Sequence, residues 1–321
     1  MVHGWSGANL RRGFLAVALA SGIGMNALPA LAQDADLSAL SGEIVSDGSS
    51  TVGPLTQAVA EEFNGQAPNV QTSVDISGTG GGFERFCRGE TDISNASRPI
   101  EDDEKARCAK KGIDFIELQV ANDGLSVVVN PDNTWANCLT VDQLKRIWQP
   151  GSKVSTWKEV DDQFPDDELS LYGPGTDSGT FDYFTDAIVG EEGASRGDYT
   201  ASEDDNVIVR GVGGDKGALG YLGLSYLESN KKGLKAVEID GGDGCVAPSI
   251  ETVQDGTYKP LSRPLFVYIK TKSLARIEVE TFVVYLLDNA ESLARGALFV
   301  PLTQDQVDEA YSVLDGAIAG A

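Results

Sequence analysis

The sequence predicts an α/β fold with mostly buried sheets, and two observations carry that expectation. Short apolar runs of strand length alternate along the chain with segments whose apolar residues recur at helical spacing. Three glycine- and hydroxyl-rich segments, Asp47-Gly-Ser-Ser-Thr51, Ser77-Gly-Thr-Gly-Gly-Gly82 and Thr176-Asp-Ser-Gly-Thr180, each follow a strand and precede a helix in that pattern. The chain has 321 residues, 41% of them hydrophobic. That is ample for a full core and suits two lobes of ordinary domain size.

Taken in order, Glu43–Asp47 reads as a strand, and the next helix carries Leu55, Val59 and Phe63 on one face. It ends near Asn64-Gly65, with Pro68 just beyond. Val70–Ile76 is a strand that runs into the second glycine-rich segment and a helix through Phe83–Arg88. Asp92–Ser97 is a short strand ending at Arg98-Pro99, and Glu101–Lys111 is a polar helix. Phe115–Val120 and Leu125–Asn130 read as two strands, the second largely apolar, with Asn122-Asp-Gly124 between them. Thr140 and Gln143 form a capping box for a helix ending at Trp148. Leu169–Tyr172 is a strand leading to the third hydroxyl-rich segment and the helix Phe181–Val189. Val207–Val212 fits strand or helix equally by periodicity. Leu219–Leu222 and Leu234–Ile239 read as strands, and Leu265–Ile269 as a continuously apolar strand. Helices over about Ile277–Asn289 and Gln304–Gly316 complete the chain.

Residues 1–32 have the three-part pattern of a secretory signal peptide: Arg11-Arg12, the apolar run Phe14–Ala20, and Ala30-Leu31-Ala32 as a small-x-small cleavage site. Arg11–Leu15 also loosely fits a twin-arginine export signal. Cleavage after Ala32 predicts a periplasmic, soluble chain, with no later segment long and apolar enough to span a bilayer. The one histidine, His3, falls inside this leader. The four cysteines, Cys87, Cys108, Cys138 and Cys245, favour disulfides in an exported protein. Of three possible connectivities, Cys87–Cys108 would close a local loop and Cys138–Cys245 a long one. No C-x-x-C pair supports a metal site, and no cofactor is implied.

A net charge of −24 disfavours nucleic acid and anionic lipid as partners. An anionic ligand must then be captured by local donors against an unfavourable global field. Added salt, with a screening length of about 8–10 Å near physiological strength, should not hurt such an association.

The three glycine-rich junctions supply those donors. A helix start leaves backbone N–H groups without intrahelical partners and carries partial positive charge. Glycine permits close approach, and serine or threonine adds hydroxyls. One such junction is ordinary capping; three of them, with no lysine or arginine inside, predict a cradle for a small tetrahedral oxyanion. None matches a nucleotide signature, because Phe83 stands where a dinucleotide fingerprint needs glycine and no Gly-Lys-Ser/Thr follows. Arg98, after Ser97 at a strand end, is a candidate bidentate guanidinium. Asp123 and Asp177 are candidate acceptors for the proton of hydrogen phosphate, which sulfate lacks at neutral pH. Ser178 could be a nucleophile, but a chain without its leader has no histidine to serve as base.

At these junctions the chain resembles the periplasmic phosphate-binding protein of the Pst-type ABC importer. The resemblance rests on Gly48-Ser-Ser-Thr-Val-Gly-Pro54, Gly78-Thr-Gly-Gly-Gly82, Asp92-Ile-Ser-Asn-Ala-Ser-Arg-Pro99, Asp123-Gly-Leu-Ser-Val-Val-Val-Asn130, Asp177-Ser-Gly-Thr-Phe181 and Gly217-Ala-Leu-Gly-Tyr221. It implies the two-lobed type II periplasmic-binding-protein fold, with two α/β lobes joined by two crossing hinge strands, Leu125–Asn130 and Leu265–Ile269. Lobe one would comprise 42–124 and 266–321, and lobe two 125–265. It further implies phosphate contacts from Ser50, Thr51, Thr79, Ser178, Gly179 and Thr180, capture by hinge closure, a monomer, and delivery to a membrane permease. Two departures stand out. The best-known branch has an aspartate where this chain has Ser97-Arg98-Pro99, and an arginine where it has Pro174. Arg98 would then supply the guanidinium, and Asp123 or Asp177 the acceptor. The alternatives are a binder of arsenate, sulfate or molybdate, and a secreted phosphatase or esterase using Ser178.

Overall fold

The computed structural model describes Leu37–Gly320 apart from Asp177; the leader and Asp177 lie outside the described residues. The first half alternates strand and helix as the periodicity requires. β1 (Ser41–Gly48), α1 (Gly53–Gln66), β2 (Asn69–Val74), α2 (Gly78–Arg88), β3 (Ile93–Ala96) and α3 (Asp102–Lys110) follow one another, with β1 parallel to both β2 and β3.

The Phe115–Val120 and Leu125–Asn130 runs are one strand, β4 (Phe115–Val129), rather than two. Asn122-Asp-Gly124 does not turn because a partner strand pairs straight through it. The second half continues with β5 (Cys138–Thr140), α4 (Val141–Trp148), α5 (Trp157–Val160), β6 (Ser170–Gly173) and α6 (Gly179–Phe184), which runs on as a π-helical turn over Thr185–Val189. Next come β7 (Thr200–Ala201), α7 (Asp205–Gly214), β8 (Ala218–Gly223) and α8 (Leu224–Ser229). The ambiguous Val207–Val212 run is thus helical, and Asp204 caps it by accepting from the Asn206 N–H at 3.0 Å. The Leu234–Ile239 run splits into β9 (Lys235–Ala236) and β10 (Glu238–Asp240), because β9 pairs with β4 and β10 with β5. β11 (Cys245–Val246), α9 (Ile250–Gln254), β12 (Ser262–Lys270), α10 (Ile277–Asp288), α11 (Ala290–Gly296) and α12 (Gln304–Gly320) finish the chain. α11 adds a helix between the two expected at this end of the chain.

The strands form one continuous sheet in the order β2-β1-β3-β12-β4-β8-β6-β7, plus a small sheet β11-β10-β5. β4 belongs to both halves: residues 115–124 pair antiparallel with β12 and 125–129 with β8. From Val120 onward it is buried on both faces, as a strand covered on two sides must be. One hydrophobic cluster packs around Phe63, Val267 and Phe282, another around Trp148, Trp157, Phe184 and Tyr221. In the latter, Phe184 stacks on Tyr221 with centroids 3.7 Å apart. Full burial of such a ring contributes roughly 2–3 kcal/mol. Disulfides join Cys87 to Cys108, tying α2 to α3, and Cys138 to Cys245 within the small sheet.

A third passage crosses between the halves besides β4 and β12. After α11 the chain reaches Leu298, whose carbonyl accepts from the Ser225 hydroxyl at 2.5 Å. Val300 then enters the Trp148 cluster and exchanges two 2.8 Å backbone hydrogen bonds with Asn122. Gln254 donates to the Pro301 carbonyl at 2.8 Å, before α12 returns to the Phe63 cluster through Ala310 and Leu314. Leu298 takes a left-handed φ of 64° to make this turn, a conformation that costs a side-chain-bearing residue about 1–2 kcal/mol.

Candidate functional site

Two glycines bring the first two junctions together. Gly48 ends β1 with φ +141°, and a Cβ there would strike the backbone of Asn95; a Cβ on Gly82 would lie 2.5 Å from the Gly48 Cα. Only glycine allows this approach of α2 to β1. Fully buried Asp47 then ties the loops, accepting from the Gly48 N–H at 2.7 Å, the Ser77 N–H at 3.1 Å, the Ser77 hydroxyl at 2.8 Å and Arg85 at 2.7 Å. Ser49 organises the turn into α1 by accepting from the N–H groups of Thr51 and Val52. Thr79 and Ser97 share a hydroxyl contact of 3.1 Å.

The result is a cleft of about 370 Å³ whose lining includes Ser50, Thr51, Thr79, Ser97 and Arg98 from the sequence-predicted set. Across from them stand Asp182, Tyr183, Asp186 and Glu192. The third junction meets the first edge to edge, since a Cβ on Gly179 would lie 2.9 Å from the Thr51 Oγ1. Ser178 accepts from the Thr180 N–H at 3.2 Å; neither residue is among those lining the cleft. Asp177 lies outside the described residues.

Arg98 sits at the cleft wall, 5.6 Å over the Phe83 ring, but its guanidinium is already gripped by Glu104 at 2.8 and 2.9 Å. A second arginine, not singled out in the sequence, is more deeply set. The Arg263 side chain is 16% exposed against 36% for Arg98. Register places Arg263 opposite Asp123 on β12 and β4, so Nε donates to the Asp123 Oδ2 at 3.2 Å while Nη2 donates to the Thr51 Oγ1 at 3.0 Å. Its guanidinium lies 3.6 Å from the Tyr183 ring centroid. The Asp123 carboxylate therefore faces Arg263 and is not part of the cleft lining. Burial pushes Asp123 upward from the ordinary carboxylate value, against the pull of Arg263.

The signal for Arg263 was present in the sequence. Ser-Arg-Pro occurs at 97–99 and again at 262–264, and all six residues line the cleft. Antiparallel pairing of Ala96 with Phe266 puts both triplets at one end of the sheet.

Among acids, Asp182 accepts from the Ser50 hydroxyl at 3.3 Å, a contact between the two walls. Burial raises its pKa, with Ser50 and Arg263 opposing. Burial also raises Glu192, reinforced by Asp182 and Asp186. The cleft thus offers hydroxyl donors, two guanidinium groups and four carboxylates (Glu101, Asp182, Asp186 and Glu192), a set in which an anion that carries a proton can both accept and donate.

Comparison with known proteins places the chain. The model of the PBP superfamily domain matches residues 35–290. Protein SphX of Synechococcus elongatus is 49% identical over 262 residues, covering 81% of this chain and 77% of that protein. The phosphate-binding protein PstS of Staphylococcus saprophyticus is 40% identical over 281 residues, 86% of each chain. A crystal structure of a possible phosphate-binding protein from Planctomyces limnophilus shares 47% identity at a TM-score of 0.85, covering 87% of this chain and all of that one. An ABC-type phosphate transport receptor from Vibrio cholerae, 23% identical over 80% of this chain and 99% of its own, shares the fold at a TM-score of 0.62. The fold is the two-lobed type II periplasmic-binding fold that the motifs implied. The chain belongs to the PBP superfamily and, within it, to the Pst-type phosphate-binding proteins.

Proposed function

We propose that this protein captures inorganic phosphate in the cleft and delivers it to an ABC importer permease. It would act in the periplasm, as a monomer and without catalysis. The observation that carries the reading is Arg263, a guanidinium mounted on a crossing strand and bonded at once to Asp123 and to Thr51. Ser50, Thr51, Thr79 and Ser97 would donate hydroxyls, Arg98 would exchange part of its Glu104 contact for the ligand, and the Ser178-Gly-Thr180 loop would close from the other side. Asp182 supplies the acceptor for the ligand's proton, the role assigned to Asp123 or Asp177 from the sequence alone.

The lobes in this reading are 42–124 with 266–321, and 125–265. Contacts made to both at once favour the closed form by differential affinity. In this reading Ser178 serves as the cap of α6, its hydroxyl oxygen accepting from the Thr180 N–H.

Calorimetric titration with phosphate, arsenate and sulfate tests the proposal. One-to-one saturable phosphate binding is expected. Arg263→Ala should weaken it by at least about 30-fold, because a buried ligand charge loses its paired donor. Absence of phosphate binding by the unaltered protein, or unchanged affinity in Arg263→Ala, would overturn it.

A further inference from the structure

Arg263 is held on three sides. Asp123 takes the Nε–H, Thr51 takes one Nη2–H, and the Tyr183 ring lies against the face of the guanidinium at 3.6 Å. A guanidinium has five N–H donors, so about three stay available to a ligand once these two are used. The ring that fixes the plane is itself fixed. Tyr183 is 5% exposed, and its hydroxyl donates at 2.8 Å to the carbonyl of Pro260, three residues before Arg263 on the segment entering β12.

We propose that Tyr183 is a positioning residue for anion capture: its ring sets the plane of Arg263 and so decides which guanidinium edge faces the cleft. This rests on reading the cleft as a phosphate site. An arginine side chain has many rotamers to lose, and prior immobilisation spares the ligand that ordering cost. Stacking of the cation on the ring, strongest where water is excluded, supplies the immobilisation. It acts from α6, whereas Thr51 holds the same guanidinium from the loop before α1. Arg263 is thus presented in one orientation only when both walls are in place.

The test compares Tyr183→Phe, Tyr183→Leu, Arg263→Lys and the double variant Tyr183→Leu/Arg263→Lys, by phosphate calorimetry with thermal unfolding as the check on folding. Tyr183→Phe keeps the ring and should stay within about threefold of the unaltered protein, while Tyr183→Leu should bind about tenfold more weakly. In the Arg263→Lys background, where there is no plane to set, Tyr183→Leu should cost under about threefold more. Should Tyr183→Leu not melt cooperatively, Tyr183→Met carries the same comparison. Unchanged affinity in the ringless variant, or an equal loss in both backgrounds, overturns the inference. A ligand-free readout separates it from the phosphate reading: NMR relaxation of the Arg263 Nε–H should show greater mobility in Tyr183→Leu, and unchanged mobility overturns the positioning role whether or not phosphate binds.

Discussion

The Ser50 hydroxyl and the Asp182 carboxylate meet across the cleft at 3.3 Å, and in the proposed function this pair would join ligand choice to protonation. An ionised carboxylate accepts the proton of hydrogen phosphate and repels a dianion with no proton to give. Asp182→Asn is therefore expected to narrow the phosphate-to-sulfate affinity ratio by about tenfold or more in parallel titrations; an unchanged ratio would rule Asp182 out as the acceptor. The same substitution has a signature in stability. Burial raises the folded-state pKa of Asp182, so the folded protein holds this proton more tightly than the unfolded chain. Its contribution is greatest at low pH and declines as pH rises from the ordinary carboxylate value through the raised one. Asp182→Asn should flatten that part of the stability profile.

Among the elements, the turn into α6 shows how narrow the tolerance is between the two walls. Gly179 opens the helix with Thr51 directly opposite, and an added methyl would fall 2.9 Å from its Oγ1 and 3.4 Å from its Cα. Gly179→Ala should therefore push the Thr51 side chain away from this wall, lowering the melting temperature slightly at most and weakening phosphate binding about tenfold or more. A variant that binds normally would show the walls need not come this close. The hydroxyl junctions were legible because strand, glycine and helix-start signals are all local. Ser50, Thr51, Thr79, Ser97 and Arg98 do meet in one cleft. Arg263 was not legible as Asp123's partner, because that pairing spans 140 residues and depends on strand register. Asp182 carries no distinguishing sequence signal, because an acid in a first helical turn is ordinary capping chemistry. The continuity of β4 through Asn122-Asp-Gly124 is not local either, since it rests on the pairing with β12 and on the two backbone hydrogen bonds between Asn122 and Val300.

Across the whole molecule, the path through Leu298, Val300 and Pro301 adds a third link between halves that β4 and β12 already join. Ser225 and Gln254 hold it to one half while α11 and α12 pack on the other. Such a strap should limit how far the lobes part in the absence of ligand. Ser225→Ala combined with Gln254→Ala is expected to enlarge the ligand-free radius of gyration in small-angle scattering. It should also weaken apparent affinity severalfold, since the competent closed state becomes a smaller fraction. No change in either quantity would show the strap to be slack.

The long strand β4 carries one last implication. Its first ten residues complete the ladder of one half and its last five that of the other. Melting either half would free one end of the strand that joins the two ladders, so denaturation should proceed in one cooperative step. Neither half, expressed as a separate polypeptide, would keep its architecture.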